Sequence, residues 1–78
     1  MTNINAIVEK MKNTPVRINM YTFLYGIAAV ADPKVKEVFV EEYLKTFMKE
    51  LYEDQTEEFR TTAIQELKAY FMQRTERK

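Results

Sequence analysis

Apolar positions recur at helical spacing in four stretches of the chain. In the first, Ile4, Ile7, Val8 and Met11 stand at i, i+3, i+4 and i+7, with Asn5, Glu9, Lys10 and Lys12 on the other side. A helix this short is marginal alone and needs packing against the rest of the fold. The second stretch reads two ways. Val16, Ile18 and Met20 alternate as in a strand, and so do Tyr21, Phe23 and Tyr25. The helical reading gathers more residues: Val16, Met20, Phe23, Leu24, Ile27 and Ala31 form one stripe, with Ile18, Tyr21, Tyr25 and Ala28 beside it. Two adjacent apolar stripes predict the most buried helix of the protein. Thr22, Gly26 and Ala29 add a line of small residues. Because glycine costs a helix about 1 kcal/mol relative to alanine, a close helix crossing at Gly26 is the expected compensation.

The third stretch is helical without ambiguity. Val40, Leu44, Phe47, Met48 and Leu51 recur on one face, and Val35, Val38 and Phe39 extend its apolar side. Glu41 stands four residues before Lys45, the favourable order for an exposed pair. The fourth stretch places Ala63, Ile64, Leu67, Tyr70 and Phe71 together, with Phe59 a turn earlier. Thr56 suits its N-cap, Glu57 and Glu58 its first turn, and Arg74, Arg77 and Lys78 its end.

Punctuation agrees with this division. Thr14-Pro15 and Asp32-Pro33 each place a capping residue before a proline, a helix-start signal. No glycine or proline separates the last two stretches. A single helix through both, about 43 residues and 65 Å long, would stack Glu50 on Asp54, Glu53 on Glu57 and Asp54 on Glu58. Each like-charge pair costs a few tenths of a kcal/mol, so a break near Asp54-Gln55 is favoured. The expectation is an all-α, compact bundle of about four helices at 2–13, 15–31, 33–53 and 56–75, in one domain spanning 1–78. The run 28–39 resembles a helix junction in the regulatory domains of TetR-type repressors. No helix-turn-helix precedes it, so the resemblance implies nothing for function.

Composition narrows the chemistry. The chain has no Cys, His, Ser or Trp. Disulfides and thiolate zinc sites are therefore closed to it, and Ser or Cys nucleophiles paired with His are absent. One glycine cannot build a phosphate loop. Glu37 and Glu41 share a helix face, and a solvated face is the plainer reading of the two than a metal or acid–base pair. The protein is expected not to be an enzyme and to carry no cofactor and no metal.

Small chains gain little net stability from one core, and self-association is a common supplement. Ten aromatics, five Phe and five Tyr, are a surplus for helices of this size. Phe23, Phe39, Phe47, Phe59 and Phe71 are expected in the core. Tyr21, Tyr25 and Tyr43 are the candidates for a self-association surface, since exposed apolar patches mark interfaces.

Twelve basic and twelve acidic residues cancel overall, but not locally. Glu50, Glu53, Asp54, Glu57 and Glu58 lie together with no basic residue among them. They read plainly as a solvated corner whose acids start a helix, and more sharply as an acidic edge for a protein partner with a basic surface. The expected function is a non-enzymatic protein–protein interaction module, a small adaptor, inhibitor or regulator, acting as a homodimer. The alternatives are a nucleic-acid-associated dimeric regulator using its basic termini and a small helical ligand-binding domain. Direct nucleic-acid binding is disfavoured, because no segment carries more than two excess charges. The most apolar window, 20–31, is too short to span a bilayer, and the first residues lack the layout of a secretory signal. The expected location is the cytoplasm, without membrane contact.

Overall fold

A computed structural model describes residues 3–14 and 17–75. Four helices follow one another: α1 (Ile4–Asn13), α2 (Met20–Ala28), α3 (Pro33–Leu51) and α4 (Glu57–Arg74). Each begins on a side-chain oxygen that accepts an otherwise unpartnered backbone N–H. Asn3 accepts from Ala6, Asn19 from Tyr21, Asp32 from Lys34 and Thr56 from Phe59, at 3.2, 2.8, 2.9 and 3.0 Å. Pro33 occupies the first turn of α3, where its missing N–H costs nothing. The all-α bundle of four helices expected from the spacing is present, and none of the described helices is long and apolar enough to cross a membrane.

The centre of the fold is the antiparallel pair α3–α4. Its core comprises Val40, Leu44, Phe47 and Met48 from α3 and Ala63, Leu67 and Phe71 from α4, all sealed from solvent. Met11 of α1 and Met20 of α2 complete it. The two long helices are separate, as the stacked acids favoured. α3 stops at Leu51, and residues 52–56 form a turn in which Gln55 N–H donates to the Tyr52 carbonyl at 3.0 Å.

Two cations grip this hairpin, one at each end. At the turn, Arg60 Nη1 donates to the carbonyls of Tyr52 at 3.1 Å, Glu53 at 3.2 Å and Gln55. At the open end, Lys36 is buried in α3, and its Nζ donates to the Thr75 carbonyl at 2.9 Å, just past the end of α4. An ammonium there meets carbonyls that the helix leaves unpaired and the negative end of its dipole. Between these grips, Lys68 of α4 lies 3.3 Å from Glu37 and 3.8 Å from Glu41, and Glu41 also pairs with Lys45 at 3.4 Å. The face shared by Glu37 and Glu41 therefore carries ion pairs. They are partly exposed and individually weak.

Three expectations are corrected. The second helix is nine residues long rather than the 17 of 15–31. Arg17 and Ile18 form a bend, Asn19 is extended at φ −64° and ψ 146°, and its side chain restarts the helix. Thr14 ends α1, and the expected helix start at Pro15 and Val16 lies outside the described residues. Nor is α2 the most buried helix, since only Met20 and Ile27 are buried in it while α3 buries six side chains. Its apolar content is high all round, but neighbours cover only one side. Finally, Gly26 marks no helix crossing: a Cβ placed there would meet nothing within 4 Å.

Two stability changes follow. Gly26→Ala is expected to raise stability by about 0.5–1 kcal/mol, since it removes backbone entropy and meets no neighbour. A urea midpoint that fails to rise would show that the site is crowded. Lys36→Met keeps the stem's packing but strands the Thr75 carbonyl, and is expected to cost about 1.5–3 kcal/mol. An unchanged midpoint would mean that the ammonium does not hold α4.

Candidate functional site

Part of the apolar side of α3 is left exposed. Lys36, Val40 and Tyr43 turn inward at its N-terminal half, which leaves Val35, Val38 and Phe39 on the outer flank at 42%, 58% and 50% exposure. Phe39 is thus not the core residue that its spacing implied. Between this flank and α2 runs an apolar groove. Its larger part, about 410 Å³, is lined by Arg17, Ile18, Phe23, Phe39, Glu42, Tyr43 and Thr46. A second part of about 290 Å³ shares Ile18, Phe23 and Phe39 and continues to Thr22, Gly26, Ile27 and Val30.

The groove has a rigid floor. Phe23 of α2 stacks on Tyr43 of α3 with ring centroids 4.1 Å apart and planes 11° from parallel. Both lie 6.1 Å from Phe71 of α4, so one aromatic cluster joins three helices. Tyr43 Oη donates to the Ile18 carbonyl at 3.1 Å and ties the bend before α2 to α3. Burial pushes the Tyr43 phenol above the ordinary tyrosine pKa.

The three self-association candidates are not brought together. Tyr43 is buried and belongs to the groove floor. Tyr21 and Tyr25 are exposed one turn apart on the flank of α2 away from the groove-lining Thr22, Phe23, Gly26 and Ile27. Their separation follows from the 100° step of a helix.

The five acids do gather. Glu50 lies in the last turn of α3, Glu53 and Asp54 in the connecting turn, and Glu57 and Glu58 in the first turn of α4, all exposed. None is ion-paired with another described residue. Beneath them Tyr52 packs between Phe47 and Phe59, with centroids 6.1 and 6.0 Å away, and Lys10 of α1 lies 4.7 Å from the centre of its ring. The corner is therefore acidic outside and holds two cations, Lys10 and Arg60, on its inner side. Arg60 escaped the sequence reading. Its signal was a cation just after a helix N-terminus, where the dipole disfavours it, which calls for a compensating contact.

Comparison of the chain with protein-family models, with curated proteins and with solved structures finds no match.

The Tyr43 phenol carries a pH signature. Its folded-state pKa is raised, so its contribution to stability is complete below the ordinary phenol value of about 10 and is lost as pH rises through the folded value. Tyr43→Phe is expected to flatten the fall of stability above about pH 10 and to cost about 1 kcal/mol at neutral pH through the lost bond to Ile18. Denaturant midpoints from pH 7 to 11 test both; an identical alkaline slope in the variant would refute the assignment.

Proposed function

We propose that this chain is a non-enzymatic protein–protein interaction module, a small adaptor, inhibitor or regulator. It offers a protein partner its aromatic-rich α2–α3 face and its acidic edge. The observation that carries this reading is the groove floored by Phe23 and Tyr43 and edged by exposed Ile18 and Phe39, with Val35 and Val38 also exposed on α3. Large exposed apolar patches on soluble proteins mark interaction sites. The side chains lining the groove include no Ser, Cys or His, so it offers the chemistry of contact rather than of group transfer. The corner from Glu50 to Glu58 supports the second half of the reading. Its acids are exposed and free of ion pairs among the described residues, while the turn beneath them is pinned by Arg60. A basic protein surface is the complementary partner for that edge.

Site-specific photo-cross-linking tests the reading. A cross-linker at Val38 and another at Glu53, each in the full chain added to a lysate of its source cells, are expected to yield discrete protein adducts. The same group at Gln65, exposed on α4, serves as the control. Adducts at Gln65 alone, or at no position, would overturn the proposal. Adducts at Val38 without any at Glu53 would remove the acidic edge from it.

A further inference from the structure

We infer that the occupant of the α2–α3 groove is a second copy of this chain, docked about a two-fold axis with Arg17 of each copy beside Glu42 of the other. This rests on the interaction reading above and names the occupant of its apolar face, leaving the acidic edge for a protein with a basic surface.

The charges on the rim favour self-pairing. Arg17 and Glu42 both line the larger part of the groove, both are exposed, and neither is ion-paired with another described residue. A strongly basic or strongly acidic partner would meet one like charge there. A copy of the same surface turned by a two-fold axis presents the opposite charge at both positions. A two-fold contact is made by one patch meeting itself, so the patch must hold both projection and recess. This one does: half-exposed Phe39 projects beside the recess floored by Phe23 and Tyr43.

Tyr21 and Tyr25 are a poorer seam: they are exposed on the other flank of α2 and line neither part of the groove.

Sedimentation equilibrium of the purified chain tests the inference. The wild type is expected to dimerise, and Phe39→Glu to be monomeric with its helical circular dichroism intact. Arg17→Glu and Glu42→Arg are each expected to weaken the dimer about tenfold, because each places two like-charge contacts across the axis. The double exchange Arg17→Glu with Glu42→Arg is expected to restore it. That rescue separates paired charges from a general loss of fold. A wild type monomeric at high micromolar concentration, a dimer indifferent to all these variants, or open-ended chain growth would overturn the proposal. A monomeric wild type that still forms a Val38 adduct with a different protein would defeat self-docking and leave the interaction module standing. A monomer with no adduct at Val38 or Glu53 would defeat both.

Discussion

The fold depends on the antiparallel pairing of α3 and α4, and both ends of that pair are fastened by charge on main-chain oxygen. Lys36 holds the Thr75 carbonyl at one end, and Arg60 holds three carbonyls of the turn at the other. Charge-assisted hydrogen bonds are stronger than neutral ones, and these two sit where helix ends leave carbonyls without partners. With both ends pinned, Val40, Leu44, Phe47 and Met48 meet Ala63, Leu67 and Phe71 along the interior. The apolar packing supplies most of the stabilisation, as in any small domain. The two cations fasten the ends of that packed pair.

The groove is a consequence of how little remains to cover this hairpin. α1 and α2 are ten and nine residues long against nineteen and eighteen for the pair they lie on. They bury one stripe each, through Ile7, Val8 and Met11 and through Met20 and Ile27. The outer flank of α3 is left uncovered, and there the side chains are apolar. Phe23 and Tyr43 stack rather than splay because Phe71 backs both rings. Tyr43 also holds Ile18, so the same residue shapes the floor and fixes one wall.

Much of this was legible in the residues because it is local. Asp32 before Pro33 and Thr56 before two glutamates mark helix starts whatever the rest of the chain does. Stacked acids from Glu50 to Glu58 announced the turn, since their repulsion depends only on helical spacing. What depends on neighbours was less legible. The length of α2 hinged on Asn19, whose side chain caps a new helix in place of continuing an old one. Phe39 and Tyr43 are four residues apart and exchanged their expected places: the phenylalanine is half exposed and the tyrosine buried. Spacing shows that two residues share a side of a helix, but not how far a neighbouring helix reaches across it. Lys36 meets Thr75 across 39 residues of chain, a pairing that no local pattern encodes. The aromatic surplus implies an uncovered surface, and the shortness of α2 decides where it lies.

The turn between α3 and α4 separates what breaks the helix from what holds the break. Arg60 grips it through the carbonyl oxygens of Tyr52, Glu53 and Gln55. Those atoms are common to every amino acid, so this grip does not depend on which side chains stand at 52, 53 and 55. The acids favour a break in the helix by their repulsion, and the guanidinium holds the broken chain by its backbone. Cause and fastening of the bend thus reside in different atoms, and a change of charge at the corner leaves the fastening in place.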